Sequence, residues 1–299
     1  MRILHLDAGR EMRGGQWQVL RLIEGLDGAG VQSTLLAPSR VPLYEAVRKR
    51  GWRVEDWGLA KARRLARNHD VVHAHDARGH TLGALTGGPR LVVSRRVAFV
   101  PGRSPVSRWK YARAARYIAV SEFVKSVLIE AGVPEEKVSV VYDGVPVLEP
   151  GPTGGTALVL SPASADPQKG AELAGKAAQL AGVTLEFSAD LERDLPRAAL
   201  LLYVTYSEGL GSGALLAMSA GVPVVASRVG GLAEVIRHGE NGMLADNAPE
   251  AIAAAMRQVL DHPALAQRMG TAARQTVLEQ FTVDRMVRRT MEVYRKVLD

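Results

Sequence analysis

The chain has 299 residues, 23% of them charged and 47% hydrophobic, and a net charge of +7. That is an ordinary globular composition with length enough for two cores. It contains no cysteine, which excludes a disulfide framework and thiolate chemistry and suits a reducing cytoplasm. No run of about 18 apolar residues occurs, and the start MRILHLDAGREMRGG enters a strand without the apolar core of a signal peptide.

Short apolar runs follow in order: RILHL (2–6), STLLA (33–37), DVVHAH (70–75), RLVVS (90–94), YIAVS (117–121) and VSVVY (138–142). They alternate with helical stretches, the pattern of βαβ units on a parallel sheet. After the first run, GREMRGGQWQVL opens a helix at Gly14 and Gly15. Paired glycines let backbone N–H groups approach an anion at a helix N-terminus. The spacing is not GxGxxG, and a plain tight turn is the simpler reading. His73 and His75 alternate on one strand face. As metal ligands they lack a third partner at a workable spacing, so a structural or hydrogen-bonding role is expected and no metal.

Charge is uneven along the chain. Residues 1–150 carry 24 Lys/Arg against 15 Asp/Glu, or +9; the remainder carries 14 against 16, or −2. The densest part holds Arg90, Arg95, Arg96, Arg103, Arg108, Lys110, Arg113 and Arg116 without an acid, and includes Trp109 and Tyr111. It reads either as a solvated face or as a landing surface for something anionic: a phosphorylated acceptor, a membrane or nucleic acid. No helix-turn-helix, RRM or zinc pattern accompanies it, so nucleic acid is not expected.

PVLEPGPTGG (146–155) reads as a linker. The pattern then restarts with TALVL (156–160), VTLEF (183–187), ALLLYV (199–204) and PVVAS (223–227), and helices over 251–260 and 283–298 finish the chain. The expected fold is α/β, with two Rossmann-like doubly wound parallel-sheet domains facing a cleft. Their bounds are 1–147 and 156–280, with 281–299 forming a helix that returns to the first domain. Ligands of such sheets bind outside the carboxyl ends of the strands. Lys169, in DPQKG, sits at one strand-to-helix junction. At another, YSEGLGSGALLAMSAG places Glu208 just before a glycine turn, Gly209-Leu210-Gly211, and a helix. Glu208 reads as an exposed strand-end carboxylate whose replacement leaves folding intact.

In order, RGGQWQVLRLIEGL, DVVHAHDARGHTLGAL, YIAVSEFVKSVLIEAGVPEEKVSVVYDGV, QKG, YSEGLG, AMSAGVPVVASRVGGLAEVIRHGENGMLA and RMGTAARQTVLEQFT span nearly the whole chain. The chain resembles the retaining glycosyltransferases of family 4, which have the GT-B fold. The resemblance implies a nucleotide-sugar donor and transfer with retention, and no cofactor or metal. By the same resemblance Glu208 matches the first glutamate of the family's E-x7-E pattern, which contacts the donor sugar. The amides at Gly209, Leu210 and Gly211 face the sugar and diphosphate. Lys169 neutralises the leaving diphosphate, and Gly14 and Gly15 form the first-domain glycine loop at the donor phosphate. Arg96 stands where the family has a catalytic histidine; Arg95, His73 and His75 fall on the acceptor side. The acceptor is unnamed, with an anionic, lipid-linked or cell-envelope glycan as the expectation. Placement is cytoplasmic, with a peripheral contact at the inner membrane face through residues 90–116.

Three departures besides Arg96 accompany the resemblance. The second glutamate of E-x7-E is Leu216, placed by the pattern near the first turn of the helix and near the cleft. The arginine that precedes the family lysine is absent from SPASADPQKG, and residues 181–199 leave room for one βα unit where the family fits two. Together they allow two alternatives, a sugar donor that lacks a nucleoside and a catalytically silent glycosyltransferase-like binding or partner protein.

Overall fold

The computed structural model describes residues 1–88, 90–102, 104–150 and 158–299. Arg103 of the basic segment, residues 151–155 of the linker and residues 156–157 of the run TALVL lie outside the described residues. The chain divides into two compact units, Met1–Gly144 with Val283–Asp299, and Val145–Thr282.

The first unit runs β1 (Arg2–Leu6), α1 (Gly14–Gly28), β2 (Gln32–Ala37), α2 (Pro42–Lys49), β3 (Arg53–Asp56), α3 (Leu59–Ala66), β4 (Val71–Ala74), α4 (Ala77–Thr86), β5 (Leu91–Arg95), α5 (Pro105–Ala112), β6 (Arg116–Ala119), α6 (Glu122–Glu130) and β7 (Val138–Val140). All seven strands are parallel, in the order β3-β2-β1-β4-β5-β6-β7. The central strands are buried on both faces, so β1, β4 and β5 appear in the sequence as unbroken apolar runs rather than alternating ones. The edge strand β3, RVED, carries no such run and has no sequence signal.

The second unit runs β8 (Val159–Pro162), α7 (Ala171–Ala181), β9 (Leu185–Ser188), α8 (Leu191–Asp194), β10 (Leu200–Tyr203), α9 (Ser212–Ser219), β11 (Val224–Ser227), α10 (Leu232–Val235), β12 (Met243–Ala245), α11 (Pro249–Leu260) and α12 (Pro263–Gln280). Its five strands are also parallel, ordered β12-β11-β10-β8-β9. Beyond β8 there is one strand, β9, followed by the four-residue α8, so this side of the sheet carries a single βα unit. Its core packs Val159, Leu200, Leu202 and Val225 against Ala174 and Ala177 of α7 and Ile252, Met256 and Val259 of α11.

The last helix, α13 (Val283–Leu298), belongs to the first unit. It buries Met286, Val287, Thr290, Val293 and Tyr294, one stripe at helical spacing. Met286, Val287, Val293 and Tyr294 join Ile3, Leu22, Leu26, Val71, Val92 and Ile118 in one cluster. Gly25 of α1 is where the two helices meet: a Cβ there would lie 2.5 Å from Val287 Cγ2.

Candidate functional site

In the second unit, the chain leaving β10 is tied to the loop before α7. Tyr206 N donates to the Gln168 carbonyl at 2.9 Å, and Thr205 Oγ1 donates to the same carbonyl at 3.1 Å. The loop can close this tightly because Gly170 takes φ +61°, and a Cβ on it would lie 2.6 Å from Val204 Cγ1. The result brings two residues 39 apart in sequence into contact: Lys169 Nζ stands 2.8 Å from Glu208 Oε2.

Glu208 is held from two further sides. The buried Tyr203 donates its hydroxyl to Oε2 at 2.8 Å, and Gly209 N donates to Oε1 at 3.1 Å. Burial and the adjacent carboxylate push the Tyr203 phenol well above its usual range, so it stays a donor. The ring has its place because residue 213 is glycine; a Cβ there would lie 2.8 Å from Tyr203 Cε2. Glu208 is therefore not the exposed carboxylate that the sequence suggests. Its side chain is 14% exposed and its oxygens are engaged by three donors, so it contributes to the fold as well as to the site.

The glycine turn is shaped from outside too. Gly231 N donates to the Glu208 carbonyl at 3.2 Å, and a Cβ on Gly231 would sit 2.0 Å from the Gly209 carbonyl oxygen. Leu210 is buried, and Gly211 leads into α9 at φ +103°. The first amides of α9 thus open next to Glu208 and Lys169, where the helix dipole favours an anion. Leu216 is the fifth residue of α9 rather than part of its first turn, and it is buried in a run buried from Ala214 to Ser219.

In the first unit the carboxyl ends of β1, β4 and β5 carry Asp7, His75, Asp76, Arg95 and Arg96. Asp7 had no sequence reading, although an acid directly after an apolar strand run is itself a signal. It accepts from Gly9 N at 2.8 Å and from Gln16 Nε2 of α1 at 3.1 Å. Burial, then the neighbouring Asp76, pushes its carboxyl up to about 6. Asp76 caps α4 through Gly79 N and accepts from Ala8 N at 3.1 Å, joining the β1 and β4 ends. Gly14 and Gly15 form the first turn of α1, and nothing lies within 4 Å of a Cβ built on Gly15.

Strand alternation separates the paired arginines. Arg96 pairs with Asp143 at 2.9 Å and, with His73 and His75, lies on the face that α13 covers. Arg95 lies on the other face, buried, donating to the Phe99 carbonyl and stacked 4.6 Å from the Phe99 ring. His73 is fully buried, with Nδ1 on the Tyr294 hydroxyl and Nε2 on Ser94 Oγ, both at 2.7 Å. His75 meets His5 Nδ1 at 2.9 Å and has its Nδ1 buried without a partner.

The third histidine that the sequence spacing lacks is supplied by the neighbouring strand, since His5 is in register with His73. Ligand atoms of His5, His73 and His75 lie within 4.8 Å of one another. Both nitrogens of His73 are already used, however, and His5 bonds directly to His75. The cluster is built as a hydrogen-bonded packing element under α13, not as three convergent lone pairs. A cavity of about 470 Å³ opens at the opposite, amino ends of β1 and β2, lined by Arg2, Thr34, Trp52 and His69 among others, and shares no residue with these groups.

Residues 12–147 match the family model described as Glycosyltransferase Family 4, and residues 183–276 match Glycosyl transferases group 1. The glycogen synthase of Mycobacterium tuberculosis is 40% identical over 101 residues, 33% of this chain and 24% of that protein. The N-acetyl-alpha-D-glucosaminyl L-malate synthase of Bacillus anthracis is 36% identical over 105 residues, 35% of this chain and 28% of that protein. The matches thus span about a quarter of the length of these curated relatives. The crystal structure of Anabaena Alr3699/HepE in complex with UDP and glucose superposes with a TM-score of 0.88 at 18% identity, covering 99% of each chain. With one family domain on each unit and this fold throughout, the chain belongs to the family 4 glycosyltransferases and has the GT-B fold.

Proposed function

We propose that the chain transfers a glycosyl group from a nucleoside-diphosphate sugar to an acceptor, with retention of configuration. The observation that carries this reading is the Lys169–Glu208 contact at 2.8 Å beside the glycine turn that opens α9. A cation and a row of backbone N–H groups suit a diphosphate, and a fixed carboxylate suits sugar hydroxyls. Lys169 and the amides of Gly209, Leu210 and Gly211 would take the negative charge that builds on the leaving diphosphate. Stabilising charge where it develops lowers the barrier more than tight ground-state binding does. Glu208, fixed by Tyr203 and Gly209, would orient the sugar.

On the first unit, Gly14 and Gly15 are proposed for the phosphate side of the donor. Arg96 is proposed near the reacting centre, and Arg95, His73 and His75 for shaping the acceptor side. For His73, with both ring nitrogens bonded, that role is support from beneath. Uridine nucleotides are the first donors to try, since the HepE structures hold UDP, UDP with glucose, and UDP-glucose. An anionic acceptor is the companion proposal, in keeping with the L-malate and D-inositol 3-phosphate in the names of partial relatives.

The test is titration of UDP-glucose and other nucleotide sugars by calorimetry, with nucleotide release measured in parallel. Binding and release that both fall in Lys169→Ala and Glu208→Gln are expected. Absence of binding across uridine, guanosine and adenosine sugars would overturn the nucleotide-sugar reading.

A further inference from the structure

The first unit carries an apolar surface that its own fold leaves uncovered. Among the described residues the three most exposed large hydrophobic side chains of the chain are Val106 at 73%, Phe99 at 65% and Val100 at 52%. All three fall within eight consecutive positions, and Val97 and Trp109 beside them are also exposed. Single exposed apolar residues need no explanation, but a cluster of five does.

Local structure holds this cluster outward. Helix α5 is fixed at its start by Pro105 and by Ser104, whose hydroxyl accepts from Ser107 N at 3.2 Å. Yet none of its eight residues is buried. A helix this short gains little from propensity and normally depends on a packed face. The Phe99 ring is propped by the buried Arg95 guanidinium stacked against it, so its exposure is a built position.

Charge names the partner. Arg108, Lys110 and Arg113 share α5 and its end with Val106 and Trp109, and Arg113 lies 5.8 Å from the Trp109 ring. No acid occurs from residue 77 to residue 121. Burial and the proximity of Arg95 push the Lys110 amine down, as expected where cations crowd. Aromatic and aliphatic side chains among uncompensated cations suit the boundary between anionic headgroups and acyl chains. Nucleic acid would account for the cations and could stack on Phe99 and Trp109, but it would not account for Val100 and Val106, aliphatic side chains with no π-face to stack. No helix among the described residues is long and apolar enough to cross a membrane, so such a contact would be peripheral.

We infer that six exposed residues form a docking surface for an anionic lipid bilayer, with Phe99, Val100, Val106 and Trp109 entering the headgroup boundary and Arg108 and Arg113 meeting lipid phosphates. This contact does not depend on the proposed sugar transfer, because none of these six residues belongs to the candidate site.

The test is cosedimentation of the full chain with phosphatidylcholine vesicles with and without phosphatidylglycerol, at low and high salt. Binding only to the anionic vesicles, weakened by salt, is expected. Arg108→Gln with Arg113→Gln should lower the partition by roughly fivefold per basic side chain removed. Phe99→Ser with Val106→Ser leaves the charge unchanged and should also release the protein. Thermal melts and nucleotide titration of each variant separate loss of docking from loss of fold or of donor binding. No cosedimentation with anionic vesicles overturns the inference. So does unaltered binding by the Phe99→Ser, Val106→Ser variant, which would leave a purely electrostatic polyanion surface. A concentration-dependent dimer broken by that variant would assign the patch to a second copy of the chain.

Discussion

Removing one oxygen tests how Glu208 is held. Tyr203→Phe deletes the hydroxyl that donates to Glu208 Oε2 at 2.8 Å and keeps the ring, which the clearance at Gly213 leaves no room to reseat. A hydrogen bond to a charged group contributes about 1.5–3 kcal/mol. Lys169 and Gly209 still hold the carboxylate in the variant, which places the expected loss near the lower end of that range. Tyr203 is 9% exposed, which restricts replacement of the phenol by water. The clean measure is a double-mutant cycle with Glu208→Ala, whose coupling energy isolates the pair. The chain provides its own way to read it. All four tryptophans, at 17, 52, 57 and 109, belong to the first unit, so fluorescence reports that unit while circular dichroism reports both. Denaturant titration should show a coupling of about 1.5–2 kcal/mol in the transition seen by dichroism, with the fluorescence transition unmoved. Additivity of the two substitutions within about 0.5 kcal/mol would refute the assignment.

Lys169→Ala should weaken UDP binding by roughly 10- to 100-fold, the range of one charge-assisted contact, read by calorimetry at fixed salt; undiminished affinity would remove Lys169 from the diphosphate. Gly170→Ala, at φ +61° and against Val204, should cost on the order of 2 kcal/mol in the dichroism transition. Gly25→Ala should instead lower the fluorescence transition by about 1–3 kcal/mol, because its methyl group meets Val287 of α13. Acid should destabilise the first unit: burial lowers His5 and His80 to about 3 and His73 and His75 well below 6.5, so the unfolded chain takes up protons first. That stability is complete above pH 6.5 and is lost as pH falls toward 3, about 2 kcal/mol each for His5 and His80 at pH 5. Asp7, raised to about 6, has the opposite sign but returns only on the order of 1 kcal/mol between pH 7 and 5. A fluorescence midpoint that stays level from pH 7 to 5 would contradict the balance.

What the sequence reveals follows from where the constraint lies. Parallel strands buried on both faces appear as apolar runs, so the central strands of both sheets are legible. The edge strand β3 is charged and β12 has three residues, and neither leaves a pattern. The glycine turn is legible because only glycine takes φ near +100° at residue 211. Glu208 is found by that turn, but its burial is not, because Tyr203 and Lys169 reach it only once β10 and the loop before α7 are tied together. His5 is invisible as a partner of His73 and His75 for the same reason: register between strands is a property of the sheet. Asp7 is the avoidable omission, since it stands directly at the end of the first run.

Leu216 sharpens the reading of the donor side. A carboxylate there would need sugar hydroxyls and open space, yet the position lies in a helical run buried without interruption from Ala214 to Ser219. Placing a charge in that run costs several kcal/mol unless it is paired. Restoring glutamate by one substitution therefore tests packing before it tests ribose recognition. Among the described residues the same side of the sheet ends at β9, followed in the chain by the four-residue α8. By contrast, Lys169, the fixed Glu208, the glycine turn and the α9 amides, which we propose for the diphosphate and sugar, stand together. Affinity for a donor would then rest on its diphosphate and sugar, with the ribose contributing less. Calorimetry should therefore find UDP and 2′-deoxy-UDP nearly equal in affinity, because a ribose hydroxyl without a buried polar partner contributes little, and a difference of about tenfold or more would contradict this.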